Sequence, residues 1–173
     1  MPKRRGEYKL TTAVERVEKD VRDILNAHQS SRYFEGIIVM YSLIENILKW
    51  LVFLKIVWDK SDRFLAKQEL DSLKEFCNHQ DFYSALNLAL VIGLIKQPLF
   101  KKIDRIRTER NDIVHQCYLF THRKNSRVLC GKLQRLIGIA DELSVIFNEL
   151  VQETGADDSY DIFTVRRKKQ MLI

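Results

Sequence analysis

From Ile37 to Trp58 the chain is apolar on much of its helical circumference, through Ile37, Ile38, Met40, Tyr41, Ile44, Ile47, Leu48, Leu51, Phe53 and Leu54. A helix this hydrophobic must be buried on more than one side. It either forms the centre of a bundle or shares its second face with another subunit. By length it also approaches a membrane span. Ser42, Glu45, Asn46, Lys49 and Lys55 argue against that reading, because one charge at mid-bilayer costs roughly 2.5–3.5 kcal/mol on the most lenient scale. The expectation is a buried helix from about Arg32 to Trp58, with no membrane partner.

The rest of the chain is equally suited to helices. Only 6 Gly and 2 Pro interrupt 173 residues, which disfavours a sheet sandwich. Thr12 and Glu15 have capping-box spacing and predict a helix start; Val14, Val17, Val21, Ile24 and Leu25 then recur at helical intervals to about Asn26. Ser30 and Ser31 mark a turn. Further helices are predicted over about Arg63–Cys77, Phe82–Leu94, Leu99–Tyr118 and Val128–Glu153. Gly93 closes the second of these regions, and Pro98 sits in the first turn of the next helix, where proline is tolerated. The polar segment His122–Arg127 reads as a loop. No strand passes the alternation test. The organisation expected is a single all-α domain over residues 1–173, an up-and-down bundle with its core at about 10–152 and a basic tail at about 156–173.

Charge narrows the class of partner. The net charge is +6, and it is concentrated. Between Leu99 and Arg135 ten basic residues face three acidic ones, an excess of seven. Most such runs are solvated faces, but this one surrounds the polar motif described next, which favours phosphate binding. Lys101, Lys102, Arg105, Arg107, Arg123, Lys124 and Arg127 are the RNA-binding candidates. The three cysteines lack metal-finger spacing, and the four histidines form no paired-ligand pattern, so neither metal nor cofactor is expected. The basic stretch Met1–Arg5 is followed by no apolar segment of a secretory signal. A reduced, cytoplasmic protein is the expectation.

The predicted helix beginning at Leu99 has the apolar stripe Leu99, Ile103, Ile106, Ile113 and Val114. Arg110 falls inside this stripe, where a charge must be paired or must face a cavity or interface. His115 follows five residues later, about 140° round the same ideal helix. One subunit does not easily aim both side chains at one point; two related copies could share a cleft. A bland alternative remains open. Arg110 could pair with Glu45 or Asp112, and His115 could cap the helix C-terminus, where a cation is favoured.

The sequence Arg110-Asn111-x-x-x-His115 resembles the R-x(4–6)-H motif of the HEPN superfamily, including the polar residue after the arginine. Glu45 in Tyr41-Ser-Leu-Ile-Glu45-Asn46 is similar to the acidic position of that family's second long helix. The apolar Phe82–Ile95 segment before Gln97-Pro98-Leu99 resembles its lead-in to the motif helix. What the resemblance implies is a four- or five-helix bundle that dimerises, with the two motifs forming a composite cleft. Many such proteins cut RNA without a metal, as toxins or defence effectors. His115 would move protons and Arg110 would hold the phosphate. Asn111 would orient the phosphate, with Glu45, or less directly Asp112, positioning the other two. Toxins of this kind paired with a nucleotidyltransferase antitoxin often carry a modified tyrosine two residues after the histidine. Here that position is Cys117 and the tyrosine is Tyr118, which argues against modification but leaves an antitoxin partner open. A non-cleaving HEPN binding module for RNA, nucleotide or protein, and a plain helical oligomerisation protein, are the alternatives.

Overall fold

The computed structural model describes residues 10–59, 67–115 and 126–154. Six α-helices account for nearly all of them: α1 Leu10–Asn26, α2 Tyr33–Asp59, α3 Lys67–His79, α4 Phe82–Val91, α5 Gln97–His115 and α6 Ser126–Thr154. A 3-10 turn at Ser30–Arg32 links α1 to α2, and no strand occurs among the described residues. The chain is therefore all-α.

The apolar helix α2 lies at the centre. Its buried residues Ile37, Met40, Tyr41, Ile44, Leu48, Leu51 and Phe53 point to several sides at once, and α1, α3, α4 and α6 all pack against it. By length and composition alone α2 could cross a membrane, but half of its most apolar window is buried inside the fold. The chain itself thus covers much of the circumference of α2 and leaves the line Glu35, Val39, Ser42 and Asn46 exposed. The two backbones come close at Gly36, where an added Cβ would lie 3.2 Å from a Leu133 methyl of α6. The missing side chain lets the α2 backbone settle against Leu133, which is fully buried.

Residue pairs set the directions of the long helices. Glu18 with Ser144 and Arg22 with Asp141 make α1 antiparallel to α6. Tyr33 with Cys130 and Gly36 with Leu133 make α2 parallel to α6. Lys102 with Glu142 and Glu109 with Lys132 make α5 antiparallel to α6. The four long helices consequently alternate in chain order, with the short α3 and α4 inserted between α2 and α5.

Helix ends follow local chemistry. At the end of α1, His28 adopts φ 49°. The Gln29 amide donates to the Ile24 carbonyl and the His28 amide to the Leu25 carbonyl, the two bonds of a Schellman cap. The same pair closes α4: Leu94 donates to Ala89 and Gly93 to Leu90, with Gly93 at φ 70°. At the start of α4, Asp81 accepts the Ser84 amide at 2.6 Å. Pro98 lies in the first turn of α5 as expected.

Several expected boundaries were misplaced: α4 ends at Val91 and not at Leu94, α6 begins at Ser126 and takes in two residues of the expected loop, and the start of α1 lies earlier. Helix α1 begins at Leu10, so Thr12 is inside the first turn and the Thr12–Glu15 spacing does not mark the helix start. Competing start signals one or two residues apart are common at fraying helix ends. The expected start of α3 near Arg63, and the expected end of the α5 helix at Tyr118, lie outside the described residues.

Candidate functional site

On α5 the buried line Leu99, Ile103 and Ile106 has Arg110 as its next member. The backbone register therefore drives a guanidinium toward α2, where apolar side chains would otherwise meet. What receives it is Glu45. Arg110 Nη1 donates to Glu45 Oε2 at 3.1 Å, and the side chains are 37% and 18% exposed. The other carboxylate oxygen, Oε1, lies 2.8 Å from Lys49 Nζ. That ammonium is only 13% exposed and also donates to the Asn78 carbonyl, just before the end of α3, at 3.3 Å. One carboxylate thus serves two cations, and the cluster carries one net positive charge. With both oxygens engaged, Glu45 is arranged to hold Arg110 in place.

Lys49 had no role in the sequence reading beyond opposing a membrane span. The signal was present: Glu45 and Lys49 are an i,i+4 pair in the favourable order, glutamate first. Its functional meaning depends on Arg110 arriving from α5, 65 residues away.

Helix α5 continues through His115. The side chains of Asn111, Asp112 and His115 lie outside the described set, so only their places on the helix can be given. Positions 110 and 115 are separated by about 140° around the axis, whereas 111 and 115 lie one turn apart on one face. Within one chain the helix brings Arg110 to Glu45. It does not bring positions 110 and 115 onto one face.

The basic cluster is more internally balanced than the linear count suggested. Lys102 pairs with Glu142 at 2.6 Å, and Arg107 with Asp104 at 2.8 Å. Glu109 gathers Arg105, Lys132 and Arg135 at 3.2, 3.2 and 3.3 Å. Partial burial would raise the Glu109 carboxyl, but the hydrogen bond and charge of Lys132, with Arg135 and Arg105, more than offset it and hold it below the usual glutamate range. Lys101 and Arg127 are exposed and make no ion pair among the described residues. Arg123 and Lys124 lie outside those residues. Among the described residues, Lys101 and Arg127 are the phosphate-binding candidates without an ion pair, while Lys102, Arg105 and Arg107 also tie helices or turns together.

Two other features stand apart from this cluster. A shallow cleft of about 380 Å³ between α1 and α6 is bordered by Arg22, Asn26, Gln134 and Asp141, and neither Glu45 nor Arg110 lines it. Burial pushes the Cys77 thiol up to about 11, which makes it a core residue and no nucleophile. Among the described residues no group of three His, Cys, Asp or Glu could hold a metal ion. No family model, no curated protein and no solved structure matches this chain.

Proposed function

We propose that this protein is a HEPN-type endoribonuclease, acting in the cytoplasm as a homodimer and cutting RNA without a metal. The observation that carries the proposal is Arg110, an arginine on the core-facing line of α5, tethered by a carboxylate and followed at motif spacing by His115. Burying a charge on that line is costly unless it is paired, and here the pairing holds a guanidinium that is still more than a third exposed. The alternating long helices agree with an up-and-down HEPN bundle.

The chemistry uses the RNA's own nucleophile. A ribose 2′-hydroxyl gives its proton to a neutral His115 imidazole and attacks the adjacent phosphorus in line. The bond to the 5′-oxygen breaks, and that oxygen takes a proton from an imidazolium. The products are a 2′,3′-cyclic phosphate and a 5′-hydroxyl. An imidazole suits both transfers near neutral pH. Arg110 stays charged throughout and offers a planar donor fork to the phosphate oxygens as negative charge builds. Glu45 and Lys49 position that fork, and Asn111 orients the phosphate. The 140° between positions 110 and 115 favours a cleft in which each copy supplies part of the site.

A second reading has its own support. The Arg110–Glu45 pair lies within one chain and joins α5 to α2, as a purely structural tie would, so a non-cleaving HEPN module that binds RNA or a partner protein is the competitor. Induced expression without a partner separates the two. The ribonuclease halts growth, and His115→Ala relieves the arrest at equal protein level. A binding module leaves growth unchanged in both forms.

A further inference from the structure

Tyr83, in the first turn of α4, is 49% exposed. An aromatic ring so open usually spreads over apolar neighbours. Here the guanidinium of Arg107 lies over it, 4.7 Å from the ring centroid. Arg107 is itself held: Nε and Nη2 reach Asp104 Oδ1 at 2.9 and 2.8 Å, and the side chain is 28% exposed. Its charge is balanced on its own helix, and Asp81 adds a second carboxylate nearby. A phosphate would have to displace or oppose these carboxylates. What the pair presents to solvent is a half-exposed aromatic ring with a guanidinium set against it.

Surfaces of this kind accept nucleobases, because every base has a π-face and unstacked RNA bases settle on aromatic rings and guanidinium planes. The position on α5 is informative. Arg107 shares a helix face with Asn111 and His115, spaced by single turns. His115 lies eight residues further on, about 12 Å along the axis, a reach of a few nucleotides in an extended strand. Resting on the ribonuclease reading above, we infer that Tyr83 and Arg107 form a stacking platform for an unpaired RNA base a few nucleotides from the cleaved bond. Arg107 therefore serves as a plane for the base and not as a phosphate ligand.

The test uses the full chain carrying His115→Ala, which keeps the RNA intact, and a single-stranded oligoribonucleotide containing 2-aminopurine. Binding should quench the fluorescence. Tyr83→Phe should keep both quenching and affinity, whereas Tyr83→Ala should lose the quenching and bind roughly ten- to a hundredfold more weakly, the range for one stacked base. Because Tyr83 is half exposed, an unchanged thermal melt can verify that the alanine variant is folded. Equal binding and quenching by Tyr83→Ala overturns the platform, as does equal loss in Tyr83→Phe. A changed sedimentation coefficient with RNA binding unaltered also overturns it, assigning the surface to protein contact. The two readings fail separately. If the wild-type chain cleaves RNA but Tyr83→Ala binds normally, only the platform falls. If binding depends on the Tyr83 ring but the wild-type chain cleaves nothing, only the ribonuclease falls.

Discussion

Replacing Glu45 by glutamine keeps the shape of the side chain and removes its charge. Arg110 and Lys49 would then share a neutral amide. For Lys49, 13% exposed with its carboxylate at 2.8 Å, the loss approaches the cost of breaking a buried pair, about 3–5 kcal/mol, but is reduced because the Asn78 carbonyl still accepts from the ammonium. We take about 2 kcal/mol for it. Arg110 is 37% exposed and behaves more like a surface pair, at most about 1 kcal/mol. The amide oxygen recovers part of the sum, leaving a destabilisation of about 2 kcal/mol. At roughly 2–4 °C per kcal/mol for a domain of this size, the melting temperature should fall by about 4–8 °C. Urea unfolding followed by circular dichroism measures it directly. Adding Lys49→Met to Glu45→Gln should recover about 1 kcal/mol, since the stranded cation is then gone. A Glu45→Gln variant within 0.5 kcal/mol of the parent, with no coupling to Lys49, would refute the shared-carboxylate arrangement.

Other consequences follow from the same geometry. Glu109 has a folded-state pKa below the ordinary value of 4.5, so its contribution is complete above that value and fades as the pH falls through the folded pKa. Glu109→Gln should destabilise the protein by about 1–2 kcal/mol at neutral pH, because Lys132 is left largely buried without a counter-charge. The difference should shrink on acidification in chemical denaturation. Glu18 is shifted the other way, upward, by burial first and then by Asp141. Ionising it therefore costs stability once the pH has risen past the unfolded and then the folded pKa. Glu18→Gln should raise the melting temperature at neutral pH and have no effect well below pH 4.5. The two Schellman caps predict opposite outcomes. His28→Gly relieves a left-handed residue and should stabilise by about 0.5–1 kcal/mol, whereas Gly93→Ala meets no neighbouring atom and should cost about 1 kcal/mol from backbone strain alone. Thermal melts of the two variants check both signs.

The helices were legible because the signals that set them are local. Apolar spacing located α1, α2 and α6, and Gly93 and Pro98 bracketed the passage from α4 to α5. The circumference of α2 showed that it needed covering on more than one side. Which elements cover it was not readable, since Leu133 meets Gly36 across almost a hundred residues. The same limit applied at the site. Arg110 stood out because a charge on an apolar line breaks a periodic pattern, and Glu45 was one of two acids offered for it. The contributions of Lys49 and Tyr83 come from tertiary neighbours: the carbonyl of Asn78 for one, the guanidinium of Arg107 for the other. The linear charge count of the basic segment misled for a related reason. Glu142, which neutralises Lys102, lies outside the window that was counted.

The decisive experiment is cleavage of an end-labelled structured RNA in excess EDTA by the purified wild-type chain, His115→Ala and Arg110→Ala, with the product ends identified. A metal-independent ribonuclease built on these two residues yields 2′,3′-cyclic phosphate and 5′-hydroxyl ends with the wild type and loses the products in both variants. An intact substrate after incubation with a well-folded wild-type dimer, over a broad panel of RNAs, would contradict it. Cleavage that survives unchanged in His115→Ala would do the same.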